Sequence, residues 1–340
     1  MTRRLFSPFR LLTTGLVVLA VALVILVTRG SDHYLEIPDQ AHALAGLVKV
    51  PDAKPQQDGG GIYYVDVLLK RASLLESLVP AVRPDGSDLV PATEIVEPGI
   101  SEKQRLELEL ADMKASQVIA SAVALRQLGY RVPVRPGGLR VVAITSDSHA
   151  AGLLKQGDVI VSADGTPVRT RNDLRVILTG HKPGDVVKLG IRRGKELLML
   201  SIRTTSDKAE PKRPIIGVLP TQAINVHFPF PIRFNIGDVG GPSAGLAFAL
   251  ELLEQRGRDV DHGYKVAATG QIQLDGSVTR IGGIKQKTIG ARKSHVDVFL
   301  VPVDGDNAQD AKRYAHGLRI IPVKSFQQAL HALATLPPKA

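Results

Sequence analysis

The chain has 340 residues, no cysteine, no tryptophan and a formal net charge of +10, a length that fits two or three domains. The missing cysteine excludes a disulfide scaffold, a thiolate zinc site and a cysteine nucleophile. The charge is diffuse, −2 over 1–130, +7 over 131–205 and +5 over 206–340, and with only 4% aromatic residues it argues against a nucleic-acid partner.

Residues 11–28 carry no charge, and Leu16 to Val27 is unbroken Leu, Val, Ile and Ala. This predicts a transmembrane helix over 11–28, with residues 1–10 as a cytoplasmic tail. Arg3, Arg4 and Arg10 precede the run, so the positive-inside rule puts the remainder outside the cytoplasm, on the cell membrane. The alternative is a cleaved signal peptide, but the small-residue sites near Ala41–Ala45 lie well past the run.

Residues 29–130 read as a separate N-terminal segment. Its first part, with Pro51, Pro55 and Gly59-Gly60-Gly61, reads as extended chain and loop, and Ile62–Leu69 as a strand. Ser101 and Gln104 form a capping-box pattern ahead of Leu106, Leu110 and Met113, and Gly129 closes the run. That spacing predicts a helix over 102–128.

Short apolar runs between Gly and Asp turns predict a β-rich domain over 131–205. The stretch Ala150–Val168, with Gly157-Asp158 and Asp164-Gly165 turns, resembles the PDZ domains of bacterial proteases. That resemblance implies peptide binding by strand addition. It implies a carboxylate loop at Pro136-Gly137-Gly138-Leu139, so Gly137, Gly138 and Leu139 are the candidate peptide-binding residues.

Residues 206–214 are polar with two prolines and read as a linker. Alternating strand and helix patterns over 215–340 predict an α/β domain. In it, Gly240-Gly241-Pro242-Ser243-Ala244-Gly245 leads a loop into a helix. A hydroxyl there faces unpaired N–H groups that suit an oxyanion, and Gly241, Pro242 and Ala244 form the candidate backbone cradle. The plain alternative is a helix cap. The string also fits the G-x-S-x-G elbow, with Asp297 and His331 as nominal partners, but no His-Gly-Gly loop precedes it.

Downstream, Gly282-Gly283-Ile284-Lys285-Gln286-Lys287 places a lysine at the next helix start. Desolvation and the helix dipole lower a lysine pKa there and make it a base for a serine. By chemistry alone, Lys285 and Lys287 are equal candidates. Together the two motifs resemble the Lon family's peptidase domain, with Thr269-Gly270-Gln271-Ile272 in the place of its Thr-Gly-Glu-Ile strand. The resemblance implies Ser243 as nucleophile, Lys285 as base and Thr269 as an orienting hydroxyl. It implies supporting roles for His227 and Asp238, and ring-like self-association. The order anchor, PDZ-like module and Lon-type domain resembles the membrane-anchored bacterial PDZ/Lon-like proteases.

The chain contains no G-x-x-x-x-G-K-[ST] phosphate loop and no H-E-x-x-H pair, so no ATP, metal or other cofactor is expected. The resulting expectation is an ATP-independent Ser-Lys endopeptidase acting on unfolded or flexible proteins. The rival is a catalytically idle PDZ scaffold.

Overall fold

A computed structural model describes all residues except 1–7, 55–58, 97–99, 209, 338 and 340. The predicted membrane helix needs correction. A helix does run Pro8–Thr28, but no helix among the described residues is long and apolar enough to cross a membrane. Thr13-Thr14-Gly15 interrupts its apolar face, and the unbroken run from Leu16 to Val27 spans only ~18 Å at the helical rise. A bilayer's hydrocarbon layer is about 30 Å thick. Residues 1–7 of the predicted tail lie outside the described residues.

The fold is mixed α/β with a β-rich PDZ-like module. The main sheet has six strands in the order Arg319–Val323, Val298–Pro302, Lys265–Ala268, Gly61–Ser73, Gly30–Ala43 and Asp88–Pro91. The first four run parallel, and the last two pairings are antiparallel. Half of this sheet therefore comes from the segment that the sequence sets apart as N-terminal. Gly30–Ala43, expected as extended chain and loop, is a strand held on both sides.

Alternation along the strands sorts side chains to two faces. Val266, Ala268, Val298 and Leu300 face the helix Gly245–Gln255 and the long helix Glu102–Gln127. Ala267, Phe299 and Val301 face the helices Ile284–Lys293 and Asn307–Tyr314. The capping box of the long helix forms as its sequence predicts, Ser101 with Gln104. A parallel sheet buried on both faces explains the unbroken apolar strand Val298–Pro302.

The second sheet runs Val218–Val226, Val134–Ile144, Val159–Ala163, Val186–Arg193 and Glu196–Arg203. It surrounds a core of Leu139, Ile160, Leu189, Ile191 and Ile202. The ends of the stretch read as a linker are paired: Thr205–Ser206 runs antiparallel to Pro214–Ile215. The strand after it, read as the start of the α/β domain, instead completes the β-rich module.

Candidate active site

Ser243 ends the loop that enters the helix Gly245–Gln255. Its backbone is held from two sides. The carbonyl oxygen of Ser243 accepts from Gly270 N–H (2.8 Å) and from Thr269 Oγ1 (3.2 Å). Pro242 carbonyl accepts from Ser116 Oγ at 3.0 Å. Thr269 thus orients the serine's backbone, not the lysine. It is fully buried where the strand Lys265–Ala268 ends.

The lysine that meets the serine is Lys287. Its Nζ lies 3.0 Å from Ser243 Oγ and also donates to the carbonyl of Val65. Lys287 is 4% exposed. Burial pushes its pKa down to about 8, and the nearby Asp66 carboxylate opposes part of that fall.

Lys285 faces away. Its Nζ pairs with Asp88 Oδ1 at 2.5 Å and stands 5.5 Å from the ring centre of Tyr314. Gln286 Nε2 donates to the other Asp88 oxygen at 2.8 Å. The reason is helical geometry: residues i and i+2 point to nearly opposite sides. A signal for this was present. Ile284, Lys287, Thr288 and Ala291 share one helical stripe, and all are buried. Lys287 lies on that stripe and Lys285 does not.

The cradle is also narrower than expected. Gly241 N–H donates to the Glu109 carbonyl at 2.9 Å, and Pro242 has no N–H. The N–H groups of Ser243 and Ala244 have no acceptor among the described residues. These two remain for an oxyanion.

His227 and Asp238 are both exposed, and neither shares a hydrogen bond or ion pair with Ser243 or Lys287. The structure does not bring them into the site. Asp297 accepts from Lys265 N–H and Lys339 Nζ, so it is not aimed at a histidine.

Two groups have the spacing of cation ligands, Asp39–His42–Asp66 and Glu254–Asp259–Asp261. Both are partly engaged internally. His42 Nε2 sits 3.3 Å from Asp39, and Glu254 Oε1 accepts from the N–H of Val260 and Asp261.

The expected carboxylate loop needs a second correction. Gly137, Gly138 and Leu139 lie inside the strand Val134–Ile144. On one side Gly138 and Leu139 pair with Ala223 and Gln222, and on the other Leu139 pairs with Ile160. Leu139 is fully buried. The chain's own strand Val218–Val226 occupies the edge that a peptide would need.

That strand instead stands at one end of its sheet, with Glu196–Arg203 at the other. A groove of about 890 Å³ lies between its start and the helix Arg171–Leu178. Leu174, Leu178 and Ile216 give it an apolar floor. Ile216 and Gly217 join Pro214–Ile215 to this strand, and Gly217 has φ +66°. Ile216 and Gly217 N–H donate to nothing among the described residues. Two successive free N–H groups beside a left-handed residue are donors of the kind that suit an anion.

Comparison with known proteins finds two partial similarities. Residues 126–204 match the PDZ domain family. Lon protease 2 of Bacillus subtilis (strain 168) is 32% identical over 144 residues, 41% of this chain and 25% of that protein. The Lon protease of Xanthomonas oryzae pv. oryzae is 29% identical over 178 residues, 51% of this chain and 19% of that protein. This chain thus spans a quarter or less of the length of these curated relatives. Among solved structures, the PDZ domain of the SdrC-like protein from Listeria monocytogenes is 28% identical. It covers 25% of this chain and 87% of that one, with a TM-score of 0.23. The PDZ domain of the Listeria innocua SdrC-like protein is 31% identical, covering 25% and 96%, with a TM-score of 0.24. The chain therefore carries a PDZ domain, which implies peptide or protein binding, and a partial similarity to Lon proteases.

Proposed function

We propose that this chain is a serine endopeptidase in which Ser243 is the nucleophile and Lys287 the general base. The observation that carries this reading is the 3.0 Å contact between Ser243 Oγ and a lysine amine buried at 4% exposure. Neutral Lys287 takes the hydroxyl proton as Oγ attacks the scissile carbonyl. The N–H groups of Ser243 and Ala244 receive the oxyanion. The Lys287 ammonium then returns a proton to the leaving amine, and water later releases the acyl group by the same route. The 340 residues hold no phosphate loop, so nothing within them couples the reaction to ATP. The substrates of this reading are unfolded or flexible chains, and the PDZ groove takes their extended ends.

The test is cleavage of a casein-type substrate by the native chain and three variants. Ser243→Ala and Lys287→Met lose activity at least ~100-fold, the span of general-base catalysis. Lys285→Met keeps it within about ten-fold, because that lysine only braces its helix on Asp88. Equal losses for both lysine variants at full folding would remove Lys287 as the base.

A further inference from the structure

The long helix Glu102–Gln127 touches both the peptide groove and the serine loop, and it does so with one face. Asp112 accepts from Thr221 Oγ1 at 2.6 Å, on the strand that walls the groove. It also accepts from Arg171 Nη2 at 3.1 Å, on the helix that forms the other wall. Glu109, about one turn earlier, gives its carbonyl to Gly241 N–H at 2.9 Å. Ser116, about one turn later, holds the Pro242 carbonyl at 3.0 Å. Positions 109, 112 and 116 follow the i, i+3, i+7 spacing of a single helical stripe. Gly240 lies so close that a Cβ there would meet the Glu109 Cβ at 2.7 Å.

We propose that Asp112 is a positioning residue that couples occupancy of the PDZ groove to the geometry of the Ser243 loop. A peptide that adds to the edge of Val218–Val226 enters between that strand and the helix Arg171–Leu178. Both walls are tied to the same carboxylate, so parting them loads one turn of the long helix. A helix transmits that load along its axis with little loss, because its hydrogen bonds close within the segment. The next contacts on the same face are the two that hold Gly241 and Pro242. As long as Gly241 N–H stays on the Glu109 carbonyl, it is withheld from an oxyanion. Release of that bond adds a third donor to the cradle. The occupant is a peptide with a free α-carboxylate and an apolar last residue, which suits the two free N–H groups of Ile216 and Gly217 and the floor of Leu174 and Leu178. This inference rests on the peptidase reading for its consequence, but not for its coupling.

The experiment uses the full chain and one probe, a heptapeptide ending in Val-Val-Leu, as the free acid and as the C-terminal amide. Three quantities are read. They are binding by fluorescence polarisation, hydrogen exchange of the amides at 240–245, and kcat on a short fluorogenic reporter. The free acid binds, alters exchange at 240–245 and raises kcat at least ~5-fold with KM nearly unchanged. The amide does little. In Thr221→Val and Asp112→Ala the free acid still binds, but neither exchange nor kcat responds. A native chain whose loop exchange ignores the bound probe overturns the proposal, as does a response undiminished in both variants. Absence of binding by the free acid overturns it too. If the reporter is cut no faster by the native chain than by Ser243→Ala, the peptidase reading fails. The exchange data then judge the coupling by themselves.

Discussion

Lys287 carries two opposed demands. As a base it must be neutral, and burial supplies that by lowering its pKa to about 8. At pH 7 roughly a tenth of the amine is then neutral, and the fraction rises towards one above pH 9. Peptide cleavage is therefore expected to climb about ten-fold from pH 7 to a plateau near pH 9. A profile flat over pH 6 to 10 would contradict a lysine base. The same shift costs stability. Below pH 8 both the folded and unfolded lysine are protonated, so folding bears the whole cost of burying the cation. Between about 8 and 10.5 the unfolded state still holds a proton that the folded state has lost, and stability rises with pH. Lys287→Met is therefore expected to stabilise the fold below pH 8, by on the order of 2 kcal/mol after its lost hydrogen bonds are counted. The gain falls through zero as pH rises and becomes a loss of about 1 kcal/mol above pH 10.5, where only the lost hydrogen bonds count. Chemical denaturation at pH 7 and pH 10 measures the difference. A stabilising loss of function marks a group retained for chemistry.

At the scale of elements, the lysine helix Ile284–Lys293 is set by a close approach. A Cβ on Gly290 would stand 1.8 Å from the carbonyl oxygen of Asp39, on the strand Gly30–Ala43. Two effects compete in Gly290→Ala. Helix propensity gains up to ~1 kcal/mol. The clash pushes helix and strand apart, and overpacking costs about 1–3 kcal/mol. The clash is with backbone, which cannot swing aside, so the variant is expected to lose about 2 kcal/mol and most of its activity. Thermal melts and a casein assay read both. Much of this level is legible in the sequence. The capping box at Ser101 follows from local chemistry that needs no partner. Gly30–Ala43 is not legible, because Pro38 and scattered polar residues break its alternation. It is a strand only because Gly61–Ser73 and Asp88–Pro91 flank it. The same holds for the two lysines. Motif spacing alone does not separate Lys285 from Lys287, whereas the buried stripe of the helix does.

At the scale of the molecule, chain order and spatial order differ. The sequence reads as beads: an N-terminal segment, a PDZ-like module, a linker and an α/β domain. The structure interleaves them. Gly61–Ser73 lies in the middle of the main sheet, in parallel register with Lys265–Ala268, and its Val65 carbonyl holds Lys287. Composition changes mark where modules begin, but they are silent about which distant strand completes a sheet, since pairing depends on partners two hundred residues away. A consequence can be tested. A chain of residues 215–340 alone lacks the central strand of its sheet and the long helix over its serine, so it exposes apolar faces on both sides. Its Val218–Val226 strand also loses the neighbour Val134–Ile144. This fragment is expected to be unfolded or aggregated by circular dichroism and inert towards casein. A chain of residues 30–340 keeps every strand of both sheets, and is expected to melt cooperatively and to cleave. Adding residues 30–130 in trans restores folding only if the two pieces associate as the sheet requires. A fragment of residues 215–340 that folds and cleaves by itself would show that the shared sheet is dispensable for the serine–lysine pair.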